Sequence, residues 1–489
     1  MQAIFDLRAI RVVLAIIVVG CVGIAHVGCG SSSSSDSGSS GSSGGGSGGS
    51  GSGDSGGGST SGFAVSGTLA SLTVSSSTNK GSTSGTATHV MAVSPETGSI
   101  TCKKAAVESS GAFSIGLTGF KPWFLFFLDK TKTGSQMFLG QFKTSTLDTL
   151  LPGSDTGSLT LGTVTIDGAS GTASATKDHA SLVSELGVDS ETAETVGKID
   201  DFASRYQNPD MDGDGSLDCD DSGKKFMLDF HVRFDMKISG TKAKISDLID
   251  SYLSETATTA SYSSTGVYLA YPSMFASAET GSVTFGSAVK TDEGGTIAAD
   301  TPTSSVTNNN FTDYKSFGPN LSGTSELPSG TIKFAVGSKT ITFADVKTPS
   351  LADLQAPTGR IFPFIKFNKS DTSCQANCTL ASVNYKWMKK TSSGWSQASV
   401  KELKFVVADG TVSFRADNSS SRTIQFAIPK SANEGTITWS AGNATLTGVT
   451  TSEFDALTTT QICHLGLSYD DQLGMRYFQN IDDATGTCS

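Results

Sequence analysis

From Leu228 to Ile238 the chain alternates: Leu228, Phe230, Val232, Phe234, Met236 and Ile238 are separated by Asp229, His231, Arg233, Asp235 and Lys237, with Phe226 in phase ahead of them. A period of two puts every apolar side chain on one face of an extended strand, which no helix can do. A strand this long needs edge partners and a core beneath it, so the segment commits the chain to a sheet of several strands. A transmembrane barrel is disfavoured, because no series of alternating segments of about ten residues surrounds it.

The flanking sequence follows the same logic. Residues 63–67, 89–93, 112–115 and 123–128 read as short strands divided by glycine turns. The run Trp123-Phe124-Leu125-Phe126-Phe127-Leu128 is apolar throughout, which predicts a central strand covered on both faces. Further strands are expected at 332–334, 361–367, 383–388, 403–407, 412–414, 424–428 and 437–439. Ala193, Val196, Ile199, Phe202, Ala203 and Tyr206 recur at helical spacing after Asp189-Ser190-Glu191, predicting a helix over 190–206 that ends at Asn208-Pro209, and a shorter helix is expected near 245–253. The fold class is therefore mainly β. We expect two or more immunoglobulin-like β-sandwich domains: a sandwich at 63–172, a helix with an acidic loop at 173–225, a β-rich domain at 226–325 and a C-terminal sandwich at 326–489. Val65-Ser66-Gly67, the strand around Met91, the turn Gly111-Ala112-Phe113-Ser114 and the 123–129 strand together resemble the carboxypeptidase regulatory-like domain. That resemblance implies a supporting sandwich without chemistry of its own.

The first 62 residues are of another kind. Arg8 and Arg11 precede the apolar run 12–19, a signal-peptide layout too short for a stable span of about 20 residues. Val18-Val19-Gly20-Cys21 fits a lipobox better than His26-Val27-Gly28-Cys29, yet the Ser/Gly tract starts directly after Cys29. Lipidation there also leaves an even six of the eight cysteines for pairing. Cys29 is taken as the lipid anchor, with Cys21 the alternative, so 1–29 is a lipoprotein signal segment whose Cys29 tethers the chain to a membrane. From Ser31 to Gly62 only Asp36, Asp54 and Thr60 are neither Ser nor Gly, so 30–62 is a flexible tether. Such a coil spans about 30 Å, at about 5–6 Å times the square root of length. In an exported chain the remaining cysteines read as disulfides: Cys463 with Cys488 around a hairpin, Cys374 with Cys378 in one loop, and Cys102 with Cys219 as the remainder.

One segment carries chemistry. Asp210-Met211-Asp212-Gly213-Asp214-Gly215-Ser216-Leu217-Asp218-Cys219-Asp220-Asp221 sets carboxylates at loop positions 1, 3, 5, 9 and 12, with Gly215 at position 6 and an apolar residue at position 8. This is the EF-hand calcium-loop pattern, and it nominates Asp210, Asp212, Asp214, Asp218, Asp221 and the Ser216 carbonyl as ligands for Ca²⁺. A solvated acidic turn is the plainer reading, but six carboxylates in twelve residues repel one another without a cation. Asp221 stands where the EF-hand family usually has a bidentate glutamate, which weakens affinity. Ser222-Gly223 leads straight into the alternating strand, so no exiting helix follows. The loop therefore resembles the solitary calcium loops of dockerin and thrombospondin-type repeats, which implies a structural ion. The whole arrangement resembles surface lipoproteins of Gram-negative bacteria, a likeness that brings no activity with it.

The formal charge of -11, with 17% charged residues and no basic stripe, gives nothing to neutralise phosphates and excludes nucleic acid as a partner. His89, His179, His231 and His464 are scattered without metal-ligand spacing, and Gly337-Ser338-Lys339-Thr340 lacks the upstream glycine of a phosphate loop and reads as a hairpin turn. We therefore expect no enzyme, but a calcium-binding lipoprotein of the cell envelope, tethered to the outer membrane, with a structural, adhesive or ligand-binding role toward a protein or glycan at the cell surface. The alternative is an accessory carbohydrate-binding or hydrolase-associated module, for which Trp387 and Trp395 would have to be exposed platforms; core positions are the preferred reading for both.

Overall fold

The computed structural model describes residues 62–75, 84–96, 99–144, 149–187, 210, 215–217, 219–220, 227–270, 281–291, 294–304, 306–307, 314–317, 321–336, 339–415, 422–471 and 475–481. The protein is mainly β, built from several sheets, and the helices described are short: His179–Leu186, Leu351–Gln355, Val400–Val406 and Thr451–Asp455. Among the described residues no helix is long and apolar enough to cross a membrane. The signal segment, the tether, Cys21, Cys29 and the expected helix 190–206 lie outside the described residues.

The N-terminal strands form one eight-stranded path: Ser99–Ala106, His89–Glu96, Phe124–Leu128, Phe138–Phe142, Thr172–Ala175, Gly157–Asp167, Phe63–Leu69 and Ala112–Leu117. Its two edge strands are consecutive in sequence, joined by the turn in which Gly111 N–H donates to the Glu108 carbonyl, so the path curls back on itself and packs like a sandwich. Thr172–Ala175 pairs antiparallel with Gly157–Asp167, and helix His179–Leu186 sends Leu182 and Leu186 into the same core.

Phe124–Leu128 behaves as its composition demands. Leu125 and Phe127 enter the core inside the curl, while Phe124, Phe126 and Leu128 face a second, larger core shared with the rest of the chain. All five are at most 1% exposed. The alternating segment forms strand Met227–Ile238, with Leu228, Phe230, Val232, Phe234 and Met236 fully buried in that larger core. His231, on the opposite face, is also buried, because the strand is central: it pairs antiparallel with Thr258–Ala270 and parallel with Met475–Ile481.

That last pairing joins a strand of the stretch 226–325 to one of the stretch 326–489. The eleven-stranded sheet takes strands from both stretches and the larger core runs through both, so a composition shift in the chain marks no break in the packing. Two element assignments are corrected. The segment expected as a helix near 245–253 is a single 3-10 turn, Ile245–Leu248, ended by Asp250 in the left-handed region at φ 57. The segment 403–407, expected as a strand, is the end of helix Val400–Val406 running into strand Val407–Arg415. Its cause is a reciprocal cap: Glu402 N–H donates to Ser399 Oγ at 3.2 Å and Ser399 N–H donates to Glu402 Oε2 at 2.7 Å, which satisfies two helix-start donors and outweighs the β-forming composition of the segment.

Candidate functional site

The acidic loop begins at Asp210, which leaves the undescribed segment before it and is 1% exposed. Its Oδ2 accepts a hydrogen bond from the Gly215 N–H at 3.1 Å, so loop position 1 is closed onto position 6. Gly215 has φ +93, where a side chain is strained, while a Cβ there would meet nothing nearer than 3.8 Å; backbone conformation, not space, selects glycine. Ser216 is exposed, and Leu217 is 3% exposed and inserted into the larger core. Asp220 N–H donates to the Leu217 carbonyl at 2.8 Å, closing a turn over the second half of the loop.

Two parts of the N-terminal sheet hold this loop. On one side the turn after Phe124–Leu128 brings Gly134, whose N–H donates to the Gly215 carbonyl at 3.4 Å. That turn is fixed by Asp129, which is 2% exposed. The Asp129 Oδ1 accepts from the Thr131 N–H at 2.9 Å and the Thr131 hydroxyl at 2.6 Å, and its Oδ2 accepts from the Thr86 N–H at 2.9 Å. Burial alone would raise the Asp129 pKa; the hydrogen bonds from Thr131 and Thr86, with Lys132 nearby, outweigh it and hold the carboxyl below its ordinary 3.8. On the other side, strand Ser99–Ala106 binds the loop covalently through Cys102–Cys219, with Cα atoms 5.9 Å apart, and Lys104 pairs with Asp220.

Asp212, Asp214, Asp218 and Asp221 lie outside the described residues, so of the six nominated positions Asp210 and Ser216 are placed. Among the described residues no group of three or more His, Cys, Asp or Glu side chains is arranged to hold a metal ion. The partners that sequence reading missed are Asp129, Gly134 and Lys104. Asp129-Lys130-Thr131 carries a local signal, an Asp whose side chain caps its own turn two residues on. Gly134 and Lys104 carry none, because both act across more than 80 residues of chain.

The structure joins Cys102 to Cys219 and Cys374 to Cys378. Cys463 opens strand Cys463–Asp471, which forms a hairpin with Met475–Ile481, while Cys488 lies outside the described residues, as does the expected bond between the two. Trp387 is fully buried and donates to the Pro429 carbonyl at 2.9 Å. Trp395 is partly buried, donates to the Thr258 carbonyl at 2.9 Å and packs edge-on against Phe362 and Phe364. The Trp387 ring is a core ring and offers no stacking face to solvent. Gly337 and Ser338 lie outside the described residues; the strands on either side pair antiparallel, with Val336 opposite Lys339. Neither a protein-family model, nor a curated protein, nor a solved structure matches the chain.

Proposed function

We propose that this chain is a calcium-stabilised binding or structural lipoprotein of the cell envelope, whose β-rich body stands off the outer membrane on the Ser/Gly tether and carries out no chemistry of its own. The observation that carries the reading is the Asp210–Gly215 contact: a buried carboxylate at loop position 1 accepts from the backbone at position 6, which is how a loop of this spacing must turn for alternate carboxylates to converge on one cation. Asp210, Asp212, Asp214, Asp218, Asp221 and the Ser216 carbonyl would hold Ca²⁺, which neutralises their mutual repulsion and fixes the chain leading into Met227–Ile238. Magnesium suits the loop less, since it resists replacing its waters with many protein oxygens.

A cation that binds only the folded state adds stability of about 2.7 kcal/mol at 100 times its Kd. Scanning calorimetry of the exported protein in millimolar calcium, then in EDTA, tests the reading: the melting temperature should drop in EDTA, and the Asp212→Ala, Asp214→Ala variant should ignore the chelator. The anchor is tested separately by palmitate labelling, which Cys29→Ser with Cys21→Ser should abolish; labelling that survives both changes, or is absent in the wild type, removes the membrane from the proposal.

A further inference from the structure

We propose that Cys374–Cys378 is a thiol–disulfide exchange site, through which the chain accepts electrons from a dithiol and returns them without any change of fold, a role that does not depend on the calcium reading. The two cysteines stand in the connection between strands Ile361–Lys369 and Leu380–Thr391, with Cα atoms 5.8 Å apart. That approach is set by hydrogen bonds that involve neither sulfur. Asn377 turns the chain at φ 54, in the left-handed region that Asn tolerates, and its Oδ1 accepts from the Thr460 hydroxyl at 2.6 Å. The Cys378 carbonyl accepts from the Thr459 N–H at 2.9 Å, and the Cys374 carbonyl accepts from Lys369 Nζ at 2.7 Å. Lys369 is itself fixed by Asp250, whose Oδ2 lies 3.0 Å from Nζ. At the base of the turn the Ser370 N–H donates to the Thr379 carbonyl at 2.9 Å. Opening the disulfide therefore frees little chain, and the reduced sulfurs stay within reach of each other, which makes the reaction reversible.

The two cysteines differ in access. Cys374 is partly exposed, whereas Cys378 is 3% exposed, so a thiolate arriving from solvent meets Cys374 and makes Cys378 the leaving sulfur. In the first step the thiolate of the dithiol bonds to Cys374 Sγ; the bond between the two cysteines breaks, and its electron pair passes to Cys378 Sγ, which takes up a proton. In the second step the other thiolate of the dithiol attacks the dithiol sulfur now bound to Cys374. Cys374 Sγ leaves with the electron pair and takes up the second proton, and the dithiol departs as a disulfide. The Cys374 thiol then has an acceptor in place, the Ala376 carbonyl 3.3 Å from its Sγ. A bond across a loop that hydrogen bonds already close adds little order to the fold, whereas it places a reactive sulfur at the surface.

The test treats the full, oxidised chain under native conditions with reduced glutathione, a monothiol that captures the first step as a mixed disulfide. Acid-quenched samples are mapped by mass spectrometry, and circular dichroism follows the fold. The expected outcome is a glutathione adduct on Cys374 with Cys378 free, native circular dichroism throughout, and return of Cys374–Cys378 once glutathione is removed. Two single variants read the sulfurs separately, since Cys378→Ser leaves Cys374 as a thiol and Cys374→Ser leaves Cys378. Toward glutathione disulfide Cys374 should react faster than Cys378 by about tenfold or more, because a buried sulfur reacts only after local opening. If either variant loses its native circular dichroism, the position of the adduct on the wild-type chain decides alone. A bond that opens only in denaturant, an adduct on Cys378, equal rates for the two thiols in folded variants, or a loss of fold on opening overturns the proposal and leaves the pair a structural staple.

Discussion

Among the described residues two disulfides close loops of the chain, and they are opposites. Cys102–Cys219 spans 117 residues and ties the acidic loop to the far edge of the N-terminal sheet. Cys374–Cys378 spans 4 residues inside one connection between strands Ile361–Lys369 and Leu380–Thr391. The short loop is held well without its sulfur: Asp371 Oδ1 accepts from the Ser373 N–H at 2.8 Å and its hydroxyl at 2.7 Å, the Ser370 N–H donates to the Thr379 carbonyl at 2.9 Å, and Lys369 Nζ donates to the Cys374 carbonyl at 2.7 Å. The acidic loop is joined to distant parts of the chain, to Gly134 through the Gly215 carbonyl and to strand Ser99–Ala106 through Cys219 and Asp220. A covalent link adds most where local hydrogen bonding supplies least, and where it removes the most freedom from the unfolded chain.

The largest expected effect follows from that contrast. On the chain-entropy account a loop of about 100 residues contributes about 4.7 kcal/mol, against about 2 kcal/mol for a loop of a few residues. Thermal unfolding without reductant should therefore show Cys102→Ser with Cys219→Ser melting well below wild type, and Cys374→Ser with Cys378→Ser falling less than half as far. Equal losses would mean that the long link is not formed or that the short one carries unrecognised structure.

Asp129 sharpens the comparison from the other side, because its turn supports the acidic loop through hydrogen bonds alone. Asp129→Asn turns an acceptor into a donor facing the N–H groups of Thr86 or Thr131 and should cost about 1–3 kcal/mol at neutral pH. The carboxyl is held below 3.8 in the folded protein, so its contribution is complete above that value and is lost as pH falls through the lower folded value. The variant should thus show a flatter fall in melting temperature than wild type as pH drops below about 4; parallel curves would place no linked proton at this site.

The smallest effect belongs to Lys104. Lys104→Ala breaks a pair open to solvent and should cost less than about 1 kcal/mol in urea unfolding, with the difference shrinking in high salt. A larger, salt-independent loss would mean that the ion pair, not the disulfide, is the clamp.

Much of the fold was legible because strand periodicity is local. The alternation of 228–238 and the unbroken run 123–128 each dictated a burial pattern that the structure shows. Helix Val400–Val406 was missed although its signal was present: Ser399-Val400-Lys401-Glu402 is a reciprocal cap, hidden by the apolar, β-branched residues that follow. What left no local trace was partnership. Nothing in Met227–Ile238 tells that it will lie beside Met475–Ile481, and that pairing is what joins stretches expected to be separate. The candidate site divides the same way: the loop spacing announced itself, whereas its supports, Gly134, Asp129 and Lys104, belong to residues 76 or more positions away. Nothing local to Cys102 or Cys219 marks them as partners, since 117 residues separate them.

Whether the acidic loop takes a cation decides what holds this part of the molecule. Isothermal titration of calcium into the oxidised, exported chain, with the Asp212→Ala, Asp214→Ala variant alongside, tests this most directly. The expected result is one site in the wild type with a dissociation constant of about 0.1 to 1 mM, as in extracellular modules of this kind, weaker binding of magnesium, and no site in the variant. A wild type that binds no calcium at millimolar concentration, or a variant that binds it equally well, would make the loop a solvated acidic turn held by its disulfide, the Gly134 hydrogen bond and the Lys104 pair alone.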